Sequence, residues 1–376
     1  MKALILGAGP AGLYLAYLLK RQNPGDEVRI VEQNPADSTF GFGVVFSDRA
    51  LDFLREDDPE TFELVVPKME RWTDLALFHR DEKVTIDGVG FAAIGRLQLL
   101  QLMQQRLYSV GVVPEYRRCV SDEQALQGYD LVVAADGANS FVRRSLEHEF
   151  GTRIEPLANK FVWYGTTQRF ETLSQTFVTT EAGTFNAHHY RYTPRSSTFI
   201  VECDPGTWAR AGFATMDETE SRAACERVFA ATLGGHALIT NKSIWRNFPK
   251  ISNQRWSVGH RVLVGDALRT AHFSIGSGTR LAFEDTIALA RALREQRNDV
   301  PAALAAYETA RRPIVDKLVA AANRSADWYE RFPEHMRLEP WAMAWSYIQR
   351  SGRVDADKLA QVSPRFVAEC RARGVV

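Results

Sequence analysis

The first chemistry-bearing pattern is Gly7-Ala8-Gly9-Pro10-Ala11-Gly12, a G-x-G-x-x-G run between an apolar segment and a helical one. Glycines at this spacing permit a tight turn and let backbone approach a pyrophosphate, whose charge then rests at a helix N-terminus. An acid, Glu32, follows twenty residues beyond Gly12 at the tip of the next strand, with Gln33 beside it. A carboxylate there accepts both hydroxyls of an adenosine ribose and repels a 2′-phosphate, so the dinucleotide expected is FAD or NAD rather than NADP. A turn needing positive φ would account for the glycines alone, but not for strand, helix and distal acid together. Two later segments have the same character. Asp136-Gly137-Ala138-Asn139-Ser140-Phe141-Val142-Arg143 follows one solid apolar run, and Gly265-Asp266-Ala267 follows another, with Gly276-Ser277-Gly278-Thr279 shortly after.

These turns need elements to hold them. Residues 3–6 are a short apolar run of the kind buried on both faces in a parallel sheet. Leu13, Ala16, Tyr17 and Leu19 recur at helical spacing up to the breaker Pro24-Gly25, and residues 28–31 form the next strand. This is a βαβ unit with a right-handed crossover. Residues 97–110 are predicted helical, with Leu99, Leu100, Leu102, Met103 and Leu107 on one side, leading to a short strand at 112–113. Apolar strands at 129–135 and 261–264 complete a layer assembled from separated pieces of chain. Between about 159 and 249 the texture changes. Stretches 160–170, 175–180, 184–193 and 198–203 are rich in Val, Thr, Phe, Tyr and Trp and read as antiparallel strands. Asp217 followed by Glu220 has capping-box spacing for a helix. After Gly278 the chain is predicted helical over 281–294 and 302–332, then helical or irregular beyond 333.

Composition narrows the function classes. At 376 residues the chain has room for about two or three domain-sized units. Forty-six basic residues balance forty-six acidic ones, which argues against a nucleic-acid partner, because neutralising phosphates takes a net basic face. The four cysteines (Cys119, Cys203, Cys225, Cys370) are far apart and lack C-x-x-C or zinc spacing, so neither a disulfide framework nor a metal site is expected. The apolar start is four residues long and runs into glycines, which fits a buried strand better than a signal peptide. No run approaches the roughly 20 apolar residues that cross a bilayer. A cytoplasmic protein without membrane attachment is expected.

The segment from Asp136 to Arg143 fits D-G-x-x-S-x-V-R and resembles the signature of class A flavoprotein aromatic hydroxylases of the para-hydroxybenzoate hydroxylase type. Gly265-Asp266-Ala267 with Gly276-Ser277-Gly278 resembles the second FAD motif of the same single-component enzymes. Three positions depart from the usual pattern: Arg269 stands where most members have His, Phe273 where they have Pro, and Arg280 where they have Asn. The departures resemble a subgroup, the flavin domain of salicylyl-CoA 5-hydroxylase and anthraniloyl-CoA monooxygenase and the tryptophan hydroxylase of violacein biosynthesis. Segments 160–166 (KFVWYGT), 197–203 (STFIVEC) and 245–248 (WRNF) share that flavour, as does Gly41-Phe42-Gly43-Val44-Val45-Phe46-Ser47-Asp48. The resemblance spans about residues 1–330. Because the CoA-ester enzymes often continue into a reductase domain, the chain is expected to act alone or as one part of a longer system.

The resemblance implies an α/β architecture, α+β overall. A Rossmann-like FAD-binding domain would take residues 1–158, with a short excursion near 70–92, and resume at 255–300. An antiparallel β-sheet substrate domain is expected at 159–254 and a C-terminal helical region at 301–376. The implied cofactor is FAD, reduced by transient NADH or NADPH, with O2 adding to give a C4a-hydroperoxide that hydroxylates an aromatic ring. Asp266 would accept ribityl hydroxyls. Backbone N–H groups of Gly276, Ser277, Gly278 and Thr279 would favour negative charge on the reduced ring at a helix start. Arg96, in an R-x-x-L position with Leu99, would contact the cofactor, the plainer alternative being a surface salt bridge. Asp136 and Arg143 would couple cofactor and nicotinamide binding, or Asp136 would simply cap a helix.

For the substrate, His272 and Phe273 stand immediately before the flavin glycines, and His272 is the preferred site histidine. His188, Tyr190 and Tyr192 share one face of a strand, with His189 on the other. His188 and Tyr190 are candidates to hydrogen-bond the ring or move a proton, or else are satisfied sheet residues. Trp163 and Tyr164 are either the roof of that site or core aromatics. The segment beginning at Gly41 favours an ortho-substituted aryl-CoA thioester, for whose phosphates Arg191, Arg195 and Arg210 are available. A free indole or tryptophan-like substrate, another small aromatic, and a non-catalytic FAD-binding protein are the alternatives. A flavin halogenase would carry W-x-W-x-I-P and a disulfide reductase a paired-cysteine motif; the sequence has neither.

Overall fold

The computed structural model describes residues 1–47, 50–352 and 354–376. Lys2–Leu6 lies inside a parallel sheet, where its unbroken apolar run meets protein on both faces. It pairs with Glu27–Val31 on one side and Leu131–Ala134 on the other, and Arg261–Leu263 pairs beyond. Ser257–Val258 closes that edge in antiparallel pairing, giving five strands. Helices Pro10–Gln22, Arg96–Tyr108 and Gly278–Glu295 share one hydrophobic core with this sheet, through Leu13, Leu15, Leu99, Met103, Leu281 and Leu289 among others. The strand predicted at 112–113 does not form. Val113 is 70% exposed and Pro114 brings no amide proton, so only Glu115 bridges to Val31.

A second sheet has eight strands. In order they are Leu238–Ile239, Thr152–Thr166, Ser196–Cys203, Gly183–Thr193, Leu173–Thr180, Leu75–His79 and Glu82–Ile86, with Arg246–Asn253 also pairing to Thr152–Thr166. The sequence placed the start of its first strand at 160, but the strand runs from Thr152 and stops at Thr166. Its early half is stabilised by Arg246–Asn253, a partner almost a hundred residues away that local pattern does not reveal. Pro156 and Pro249 face each other beside a register shift in that ladder, where neither need donate. Leu75–His79 joins this sheet parallel to Leu173–Thr180. Glu70–Trp72 belongs instead to a three-stranded sheet with Gly43–Ser47 and Phe91–Gly95.

Asp217 and Glu220 form the full capping box at the start of Glu218–Val228. The long helix Val300–Glu330 brings Trp328 and Tyr329 against Phe177 and Phe332. Helices Pro340–Gln349, Ala356–Val362 and Pro364–Ala372 then bury Met343, Tyr347, Leu359 and Phe366 over Leu75, Leu77, Val84 and Ile86. Among the described residues no helix is long and apolar enough to cross a membrane. No group of three or more His, Cys, Asp or Glu among them could hold a metal ion.

Candidate active site

The glycines of the first turn serve different physical needs. Gly7 has φ +96°, and a Cβ there would stand 2.4 Å from the Ala135 carbonyl oxygen. At Gly12 a Cβ would stand 1.9 Å from the Gly7 oxygen, so the helix packs on its own turn only without a side chain. Gly9 is different: nothing lies within 4 Å of its missing Cβ, and it lines a cavity with Pro10 and Ala11 at the helix N-terminus. Glu32 Oε2 accepts the Ala8 N–H at 2.9 Å, while Oε1 accepts from the backbone and side chain of Asn34. The acid is thus fixed beside the glycine turn. Gln33 is exposed next to it.

The other two turns meet the first across the same cavity, of about 360 Å³, whose wall includes Ala135, Gly137, Gly265, Asp266, Gly276, Ser277, Gly278 and Thr279. Asp136 does not line it. Its Oδ2 accepts the Phe141 N–H at 2.7 Å, which is the helix-start role, while Oδ1 is buried without a partner. Burial pushes that carboxyl above the usual range. Arg143, 1% exposed, donates to the carbonyls of Ala138 and Ala267 and so ties the second turn to the third. Gly276 is left-handed (φ +60°) and close to the Val45 carbonyl, and the helix Gly278–Glu295 starts just after it. Ser277 Oγ is buried and unpartnered.

Arg96 and Asp266 both face the cavity. The Arg96 guanidinium lies 5.5 Å over the Trp163 ring, so this residue is part of the site wall rather than a surface ion pair. Burial lowers its proton affinity, and Asp266 partly restores it. The enclosing protein raises the Asp266 carboxyl, and Arg96 and Arg269 oppose that shift. Arg269, a departure from the usual pattern, pairs with buried Asp285 at 2.7 Å. Arg311 bridges Asp285 and Glu284, and Arg280 pairs with Glu284 at 2.8 Å. Two residues that looked anomalous in the sequence therefore belong to one charged cluster behind the third turn.

Opposite the glycine turns, the large sheet offers Phe161, Trp163, His188, Tyr190 and Ile200, and Phe248 and Phe273 complete the wall. His188 is 3% exposed and neither ring nitrogen has a hydrogen-bond partner; burial depresses its imidazolium to about 3. Tyr190 donates its hydroxyl to the Gly43 carbonyl at 3.0 Å, tying the small sheet to the large one. Tyr164 points the other way, into a separate core beneath Ser221 and Cys225. His189 likewise faces that core, bonded to Thr176 and stacked on Phe199.

His272, the histidine preferred from sequence, does not line the cavity. Its Nδ1 lies 2.9 Å from Ser274 Oγ, which continues to Ser325, and its ring packs on Phe248, Phe273 and Tyr329. Period-2 alternation fixes the face on which His188 lies, and that face lines the cavity; no such rule fixes the direction of a side chain in an irregular turn. Arg191 is spent on Glu70 and on the carbonyls of Phe170, Glu171 and Arg71, and Arg210 on that of Ala182. Neither lines the cavity. Of the segment from Gly41, Gly43, Val44 and Val45 do line it, and Asp48 lies outside the described residues.

Sequence reasoning missed Gln175 and Glu202, both buried on the cavity side of the sheet. A signal existed for Gln175, a polar side chain between Leu173 and Phe177 on one face of its strand, but not for Glu202, which shares its face with Ser196 and Thr198. It also missed Asp285, whose meaning depends on arginines brought in from elsewhere.

The open space at Gly9 and Gly278, the fixed acid at the first turn and the unpaired Ser277 hydroxyl suit a long, phosphate-bearing ligand with hydroxyls along its length. A family model described as "FAD binding domain" matches residues 1–57 and 109–322, which include all three turns. The chain belongs to this FAD-binding family. It is 40% identical over 377 residues to the salicyloyl-CoA 5-hydroxylase of a Streptomyces species, covering 98% of this chain and 72% of that protein. It is 36% identical to the 3-hydroxy-4-methyl-anthranilyl-[aryl-carrier protein] 5-monooxygenase of Streptosporangium sibiricum, covering 89% and 90%. Among solved structures, a mutant of 2-methyl-3-hydroxypyridine-5-carboxylic acid oxygenase superposes with a TM-score of 0.72 at 16% identity, covering 98% and 97%, a likeness of fold. The protein is a FAD-dependent monooxygenase, an aromatic hydroxylase.

Proposed function

We propose that this protein hydroxylates the ring of an ortho-substituted aryl thioester, such as salicyloyl-CoA, with NADH or NADPH as reductant and O2 as oxidant. The observation that supports this best is one continuous cavity with glycine turns at one end and an aromatic, histidine-bearing sheet at the other. The thioester part draws on two relatives whose names place an aryl group on CoA or on a carrier protein.

In this reading Gly9, Pro10 and Ala11 receive the FAD pyrophosphate and Glu32 the adenosine ribose. Asp266, Arg96 and the backbone of 276–279 hold the ribityl chain and the ring. Bound FAD supplies electron transfer and the activation of O2. The chain's own groups orient the arene and keep water away. Phe161, Trp163, Ile200, Phe248 and Phe273 present apolar surface to the ring and exclude solvent. The neutral His188 has one N–H to donate and one nitrogen to accept with, so it holds a ring hydroxyl or amino group. Tyr190 is committed to Gly43, and burial drives its phenol pKa up, so it positions the loop and keeps its proton.

The test is an oxygen-electrode and mass-spectrometric assay of the FAD-loaded protein with NADH and NADPH. The panel is salicyloyl-CoA, anthraniloyl-CoA, free salicylate and tryptophan. The expected outcome is faster nicotinamide oxidation with an aryl thioester and a product carrying one atom from labelled O2. Stimulation only by a free arene would remove the thioester from the proposal, and no stimulation by any of them would overturn it.

A further inference from the structure

One row of residues crosses the cavity-facing side of the large sheet in register: Leu77, Gln175, His188, Ile200 and Trp163. Directly opposed residues share a face, with Cβ atoms about 5 Å apart. Gln175 has Leu77 across from it and Leu173 and Phe177 on either side along its own strand, all buried. A carboxamide is out of place in such a setting. Gln175 is 0% exposed, yet neither its oxygen nor its nitrogen has a hydrogen-bond partner, and the same holds for both ring nitrogens of His188. Each unpaired buried polar group costs about 1–3 kcal/mol, a penalty that leucine in place of Gln175 would remove. Only His188 of the two lines the cavity, with Gln175 immediately behind it.

We propose that Gln175 is a positioning residue that acts through His188: it orients the imidazole that recognises a hydrogen-bonding substituent, hydroxyl or amino, on the ring of the substrate. His188 meets the substituent in the cavity and Gln175 meets the far side of the imidazole, so a substituent of either kind leaves both side chains paired, and an unsubstituted ring leaves them unpaired. Sites built of buried polar groups discriminate strongly against the analogue that lacks the matching group. The inference rests on the arene-hydroxylase reading above and adds to it the residue that orients the selecting imidazole.

Calorimetric titration of the oxidised, FAD-loaded full chain with salicyloyl-CoA and with benzoyl-CoA tests it, in the parent and in Gln175→Leu. The parent is expected to prefer salicyloyl-CoA by about tenfold or more. In the variant that preference should fall to within about threefold, with benzoyl-CoA bound as well as before. The variant should also melt at or above the parent's temperature, because an unpaired amide has gone from an apolar setting. An unchanged preference overturns the inference. So does a variant that melts well below the parent and loses both ligands equally, since that marks a purely structural residue. If the parent binds neither thioester, nor free salicylate or benzoate, the hydroxylase reading falls and this one with it; binding with unaltered discrimination sinks this one alone.

Discussion

Replacing Asp285 with Asn removes one charge from the interior and leaves the shape of the side chain. Asp285 is 0% exposed and its oxygens serve two guanidiniums, Arg269 Nη1 at 2.7 Å and Arg311 at 3.2 and 3.3 Å. The Gly265 N–H also points at it, at 3.4 Å. Arg311 keeps Glu284 at 3.0 Å after the change, but among the described residues Arg269 has no second carboxylate within ion-pair distance, Asp266 acting on it only from farther away. Removing one member of a buried pair costs about 3–5 kcal/mol, chiefly through the charge left behind. With Arg311 still paired, the lower end is expected, about 3 kcal/mol, against a total stability on the order of 5–15 kcal/mol. Denaturant unfolding of the FAD-loaded protein, followed by tryptophan fluorescence and by flavin release, measures the loss. The Gly265 turn rests on Asp285, so FAD affinity should fall in parallel by about tenfold, or about 1.4 kcal/mol. Adding Arg269→Met to Asp285→Asn removes the stranded cation and should recover more than half of the stability. The reasoning fails if Asp285→Asn alone costs less than about 0.5 kcal/mol, or if the double variant is no better than the single one.

Glu202 should make stability pH-dependent in the direction opposite to an ordinary ion-paired acid. Burial raises its carboxyl from 4.5 to about 8, so stability present at pH 4.5 is progressively lost as the pH rises towards 8, at most by roughly 1.4 kcal/mol per unit. Glu202→Gln should flatten that slope in unfolding free energies measured from pH 5 to 8.5; parallel curves for the two proteins would count against a neutral buried acid. His272 works the other way. With its imidazolium depressed from 6.5 to about 3, stability present above pH 6.5 is lost as the pH falls towards 3, and His272→Gln should reduce that acid sensitivity in the same titration. Gly12→Ala places a Cβ 1.9 Å from a backbone oxygen. It should weaken FAD binding by about ten- to a hundredfold, and an equilibrium-dialysis constant equal to the parent's would mean that the turn tolerates a side chain.

Local rules carry far in this chain where the requirement is itself local. The first turn is legible because a tight turn needs glycine, a helix start favours a proline such as Pro10, and a strand buried on both faces shows an unbroken apolar run such as Ala3-Leu4-Ile5-Leu6. Alternation in a strand puts His188 and Tyr190 on one face, but the opposite face, with Phe185 and His189, is buried in a core of its own, so the structure decided which face meets the cavity. The placement of His272 and the fate of Arg191 depend on partners from distant segments, Ser325 and Glu70, and no spacing reports them.

By itself, then, the sequence determined that a dinucleotide-binding turn, two companion turns and a strand-rich middle exist, since each is imposed by backbone sterics within a few residues. Only the tertiary structure decided that the three turns and the sheet share one cavity, that Thr152–Thr166 extends to meet Arg246–Asn253, and that Arg269 answers to Asp285. The reason is physical: electrostatic pairing and strand register are settled by which segments lie adjacent in space, and burial then makes the wrong neighbour too costly to keep.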